Sequence, residues 1–169
     1  MTILNILNYP DPRLHNIAAP VKKVTEEHKK LIKDMAETMY SAPGIGLAAT
    51  QVNQHIQIIV IDISENKDSL LVLINPKIID KRGEQFCEEG CLSVPGVYEK
   101  VQRSECIKIQ ALDNCGNLLK LEADGLLSVC IQHEMDHLLG KVFVEYLSPL
   151  KKSRIKSKMI KLSKRKDTT

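Results

Sequence analysis

The sequence predicts an α+β fold: antiparallel sheets packed around a central helix, with an N-terminal helix and a basic C-terminal helix. Three features predict it. Short β-branched runs fill the middle of the chain, separated by turn residues instead of helical stretches. Helical periodicity appears before and after those runs. An unbroken apolar segment over 125–139 carries the H-E-x-x-H pattern His133-Glu134-x-x-His137, and a helix apolar nearly all round is a buried one.

In order, residues 1–23 hold Pro10, Pro12 and Pro20 and read as an extended or turning lead-in. Thr25 is a good N-cap, with Glu26 and Glu27 in the first turn. Leu31, Ile32, Met35, Ala36 and Met39 then recur at helical spacing, giving a helix over 25–41 whose methionines fill core. Pro43 stops it. Residues 44–51, Gly-Ile-Gly-Leu-Ala-Ala-Thr-Gln, let backbone approach something closely, and no lysine follows to make a phosphate loop. Gln51 is an amide donor stranded among small apolar residues. Strands are predicted over 56–63 and 70–74, the second ended by Asn75-Pro76, and Ile78 and Ile79 can start a third. Two more, over 105–112 and 118–123, flank a hairpin loop at 113–117. Residues 88–96 read as a loop, with Cys91 between Gly90 and Pro95. Asp124 can cap the 125–139 helix and Gly140 can end it.

The chain's 169 residues, 43% hydrophobic and 27% charged, suit one globular domain. Its body is 1–150, and 151–169 form a basic C-terminal helix of the same domain. That last stretch holds nine Lys/Arg against one Asp, whereas the body holds 15 basic and 20 acidic residues. Five cysteines, an odd count without paired spacing, indicate a reducing compartment. No apolar run is long enough to span a membrane, and the N-terminus lacks a signal or transit pattern, so a cytoplasmic location is expected.

The chemistry centres on His133 and His137. At i and i+4 they share one helix face, where two imidazoles can grip a metal ion and Glu134 can handle the proton of a water. A buried helix bearing Gln132, His133, Glu134, Asp136 and His137 must also give those groups partners. A catalytic metal usually has a third protein ligand. Downstream none is found: the extended motif of metalloproteases ends here on Phe143, so the third ligand is expected upstream. Cys91 reads either as a nucleophile or as a thiolate ligand. Cys130 is its rival but lies about 10 Å along the helix from His137, which makes it wall.

Three segments together resemble the signature motifs of peptide deformylases: residues 44–51, Glu89-Gly90-Cys91-Leu92-Ser93, and Gln132-His133-Glu134-Met135-Asp136-His137. Their order and spacing match too, and the similarity runs over nearly the whole chain. The resemblance implies removal of the formyl group from N-formylmethionine on nascent proteins, with release of formate. It implies one divalent metal held by Cys91, His133 and His137, ferrous iron (Fe2+) by resemblance, with Zn2+, Ni2+ or Co2+ able to occupy the site. It makes Glu134 the general base and acid for a metal-activated water, and Gln51 and the Leu92 backbone N–H the oxyanion donors. It also places Gly44, Gly46 and Gly90 beside an extended substrate, and Ile45, Leu126, Val129 and Cys130 around the methionine side chain. Cys87 stands where the family often has Ile, Tyr98 where some relatives have Arg, and Gln102 where Pro is frequent. The basic helix, with an apolar stripe of Leu147, Leu150, Ile155, Met159 and Leu162, is expected to dock on ribosomal RNA near the exit tunnel. A monomer without membrane attachment is expected. Two other readings are a small metallopeptidase, weakened by the missing downstream ligand, and a non-catalytic RNA-binding domain with a structural metal, which has no need of Glu134.

Overall fold

A computed structural model describes residues 2–167. Three α-helices and seven strands are arranged as the α+β reading expects: α1 Glu26–Ser41, β1 Gly46–Ala48, β2 Ile58–Ile61, β3 Leu71–Arg82, β4 Gln85–Cys91, β5 Val94–Arg103, β6 Cys106–Leu112, β7 Leu118–Asp124, α2 Gly125–Leu138 and α3 Pro149–Asp167. All strand pairing is antiparallel, in a five-stranded sheet of order β1-β2-β3-β6-β7 and a separate β4–β5 hairpin.

The N-cap of α1 forms as read. Thr25 accepts from the His28 N–H, and the Thr25 N–H donates back to His28 Nδ1 at 3.1 Å. Met35 and Met39 are fully buried against Ile58, Val60 and Leu47, filling the core between α1 and the sheet. The 113–117 loop closes through Asp113 Oδ1, which accepts from the Cys115 and Asn117 N–H groups.

Four expectations need correction. The strand over 56–63 shortens to Ile58–Ile61, because Ile56 instead makes an isolated parallel bridge with Ala19. Beyond Ile61, Asp62 gathers the N–H groups of Ser64 and Ser69 and turns the chain. Asn75-Pro76 does not end β3. The register shifts there, Asn75 takes φ 51°, and its side chain exchanges hydrogen bonds with the Val21 backbone, so the strand absorbs the proline at a bulge and runs on to Arg82. Residues 88–96 belong to the β4–β5 hairpin and not to a loop. The sequence Gln-Phe-Cys-Glu-Glu-Gly-Cys lacks the β-branched alternation that marks a strand. Finally, Asp124 holds the N-cap position without a side-chain bond, since β7 runs straight into α2.

Most of α2 from Ser128 to Leu138 is buried, while Leu126 and Leu139 at its ends are 48% and 56% exposed. Its inner face packs on the sheet through Cys130, Ile131 and Leu138. The C-terminal helix lies against the hairpin: Ile155 and Met159 join Val94, Val97 and Val101 in one apolar cluster. Leu147 and Leu162 are partly buried there, whereas Leu150 is 61% exposed and lies outside the stripe. Thr168 and Thr169, the end of the predicted basic segment, lie outside the described residues.

Candidate active site

The hairpin brings Cys91 to α2. Cys91 is the last residue of β4, and the register there shifts between Gly90 and Cys91 before the chain turns back into β5. Its Sγ lies 3.3 Å from His137 Nε2, and the possible ligand atoms of Cys91, His133 and His137 all fall within 4.8 Å of one another. These are the residues that the resemblance names, supplied by two elements far apart in sequence. Cys130 takes no part in the group. Burial, with the charges of Glu134 and Glu89, pushes its thiol up to about 12, so it stays an uncharged wall residue.

His133 is oriented by partners that the motif reading missed. Its Nδ1 lies 2.7 Å from Glu89 Oε1, which leaves Nε2 facing the cluster. Glu89 is in turn gripped by Arg103, whose Nε and Nη2 donate to its two oxygens at 2.8 and 2.9 Å. Arg103 also pairs with Asp136, to which the Tyr146 hydroxyl donates at 2.8 Å. Burial opposes charge on Glu89, but the bonds from Arg103 and His133 win and hold its carboxyl below the usual range. The one signal in the sequence was that a buried His133 needs an acceptor; which carboxylate supplies it was not legible, because Glu89 lies in a stretch that reads as loop.

The donor set fits a metal. One sulfur and two imidazole nitrogens suit a borderline divalent ion. Burial keeps His137 well below its ordinary pKa, as do the neighbouring His133 and Arg103, so the ring is neutral with a lone pair to offer. At His133 burial works against positive charge, yet the hydrogen bonds that its ring donates to Cys91 and Glu89 more than offset it. Buried Glu134 Oε2 and His137 Nδ1 have no hydrogen-bond partner among the described residues.

Beside this cluster opens a cavity of about 530 Å³. Gly44, Ile45 and Gly46 line one side, and Gly90, Cys91 and Leu92 the other. Leu126, Val129, Cys130, His133 and Glu134 contribute from α2. Gln51 and His137 do not line it; they are 1% and 0% exposed and stand behind Cys91. Gln51 Oε1 accepts from the Ala48 N–H at 2.9 Å. That fixes the amide so that Nε2 donates toward Ser93 Oγ at 3.1 Å and Cys91 Sγ at 3.5 Å. Glu134 Oε1 lies 3.9 Å from His133 Nε2, and burial, outweighing the pull of His133, pushes its carboxyl up to about 7. A buried carboxyl tuned near neutrality beside a metal-type cluster can take and return a proton.

The profile of the family described as Polypeptide deformylase matches residues 3–153. The chain belongs to the polypeptide deformylase family. Peptide deformylase 1 of Burkholderia multivorans is 61% identical over 165 residues, spanning 97% of this chain and 91% of that one. A peptide deformylase crystal structure from Legionella pneumophila superposes with a TM-score of 0.95 at 44% identity, covering 99% of both chains. One from Ehrlichia chaffeensis in complex with actinonin gives 0.92 at 40% identity and covers 100% of both. Deformylase membership makes this chain an enzyme that takes the formyl group off a peptide. No helix of the described residues is long and apolar enough to cross a membrane.

Proposed function

We propose that the chain deformylates N-formylmethionine at the start of newly made proteins, through one divalent metal held by Cys91, His133 and His137. The observation that carries this is a Cys-His-His cluster with a buried carboxylate at its side, opening onto a cavity edged by glycines. A divalent metal held by Cys91, His133 and His137, Fe2+ by resemblance, would supply Lewis acidity toward the formyl oxygen and the attacking water. Glu134 takes the proton from the attacking water and passes it to the departing amine, leaving formate and a free methionine N-terminus. Gln51 Nε2 and the Leu92 backbone N–H stabilise the negative oxygen of the tetrahedral intermediate, and the Ala48 bond holds Gln51 ready for it. β1 is an edge of the five-stranded sheet and β4 pairs only with β5, so two strand edges border the cavity. An extended peptide can pair between them, with its methionine side chain directed at Val129 and Cys130.

The basic helix α3 offers Arg154, Lys161 and Arg165 along a shallow groove. We assign that face to RNA phosphates of the ribosome, where it raises local substrate concentration. The working form is a cytoplasmic monomer, with 1–150 as the catalytic body and 151–169 as its C-terminal helix.

The test is formate release from a formyl-Met tripeptide by protein loaded anaerobically with ferrous iron, with the acetyl-Met peptide as control. Turnover of the formyl peptide alone, abolished by a chelator, is expected. Well-folded, metal-loaded protein without turnover would overturn the reading.

A further inference from the structure

The β4–β5 hairpin has two faces. Cys87, Glu89 and Cys91 turn inward to the cluster, while Phe86, Glu88 and Gly90 turn outward. Tyr98 is the cross-strand partner of Gly90 and shares its outward face. The tyrosine ring lies directly on the glycine: a Cβ on Gly90 would sit 2.6 Å from Tyr98 Cε1 and 2.9 Å from Cδ1. The ring thus sits close against the Gly90 backbone, yet Tyr98 remains 66% exposed and lines the cavity. Nothing in the proposed chemistry uses it.

A peptide paired along β4 sends successive side chains to opposite faces of the hairpin. The methionine side chain goes inward, toward Cys87, Val129 and Cys130. The next side chain must then go outward, over Gly90, where the Tyr98 ring waits. The charges on that face, Glu88 and Lys100, stand opposite each other in the register. They offset one another and leave the aromatic surface as the distinguishing feature.

We propose that Tyr98 is a specificity-determining residue that selects an apolar, preferably aromatic, second residue in the formylated substrate. The assignment rests on the deformylase reading and goes beyond it in naming which substrates the enzyme prefers. An aromatic contact of this kind is worth roughly 2- to 10-fold. Because it is made equally in ground state and transition state, it acts on KM more than on kcat.

The experiment measures kcat and KM for formyl-Met-Phe, formyl-Met-Ala and formyl-Met-Asp tripeptide amides with the full-length iron-loaded enzyme and with Tyr98→Ala and Tyr98→Arg. The wild type is expected to favour Phe over Ala by about 5-fold in kcat/KM, mostly through KM. That ratio should fall to about 1 in Tyr98→Ala, and Tyr98→Arg should gain relative activity on the Asp peptide. Thermal melts confirm that both exposed substitutions leave the fold intact. A Phe-to-Ala ratio unchanged in Tyr98→Ala, with good turnover of every peptide, would overturn the Tyr98 assignment and leave the deformylase reading standing. Absence of turnover on all three formylated peptides by all forms would overturn both.

Discussion

A methyl group added at Gly46 should disable the proton-transfer step while sparing the metal. An ideal Cβ there would stand 2.8 Å from Glu134 Oε1 and 3.1 Å from its Cδ and Cγ. Ordinary carbon–oxygen contact needs about 3.3 Å, so the overlap is roughly half an ångström along much of the side chain. Neither partner can yield easily. Gly46 is paired with Ile61 in the sheet, and Glu134 is 4% exposed on a packed helix. The relief available is displacement of the carboxylate by up to about 1 Å, which costs on the order of 100-fold in kcat. Overpacking should lower stability by about 1–3 kcal/mol. Gly44→Ala is the control. Its added carbon meets Leu92 Cδ1 at 2.7 Å, the far end of a flexible side chain, and rotation of that leucine limits the loss to roughly 2- to 10-fold. The assay pairs formate release with metal content per chain for both variants. Gly46→Ala turning over within threefold of wild type, or losing no more than Gly44→Ala, would refute the placement of Glu134 as the proton carrier.

Glu134→Gln should keep its metal and lose about 100- to 10,000-fold in kcat, checked by metal analysis beside turnover. Glu89→Gln should weaken metal retention by about 10- to 100-fold in a chelator competition, since His133 loses its orienting carboxylate. Urea melts of that variant should show a loss of about 1–3 kcal/mol, because buried Arg103 loses its charged bidentate partner and keeps only Asp136. Acid stability should follow Asp62: burial opposes its charge, but bonds from Ser64, Tyr40 and Ser69 hold the carboxyl down from 3.8 to about 2. Its folded pKa lies below the unfolded one, so the ionised form stabilises the fold above about pH 4, by roughly 2 kcal/mol, and that contribution fades as pH falls toward 2. Asp62→Asn should flatten that limb of a pH-dependent melt. Met159→Ala should cost about 2–5 kcal/mol, since the side chain is 4% exposed in the cluster under the hairpin.

Residues whose chemistry is local were easiest to read from the sequence. Thr25, the methionines of α1, and the His133–His137 pair declare themselves through spacing of three or four. The hairpin was harder, because seven residues with one aromatic and two glutamates give no periodic apolar signal, and the pairing that makes them a strand comes from β5. β3 was cut short for a related reason. A proline normally ends a strand, and only the Asn75 side chain, bonded to Val21 fifty-four positions away, makes the bulge tolerable. Glu89 and Arg103 stayed hidden as a pair since neither neighbour in sequence betrays which buried carboxylate meets which guanidinium. The placement of Gln51 behind Cys91 likewise depends on the Ala48 amide three residues earlier, a contact that only folded geometry reveals.

The hairpin is fastened to α2 at two levels. One is the Cys-His-His cluster, which an ion would cross-link; the other is the run of bonds from His133 through Glu89 and Arg103 to Asp136. The second fastening asks for no ion at all. An emptied chain can therefore keep its shape, with the three donors still convergent, and the ion becomes a replaceable part instead of a structural rivet.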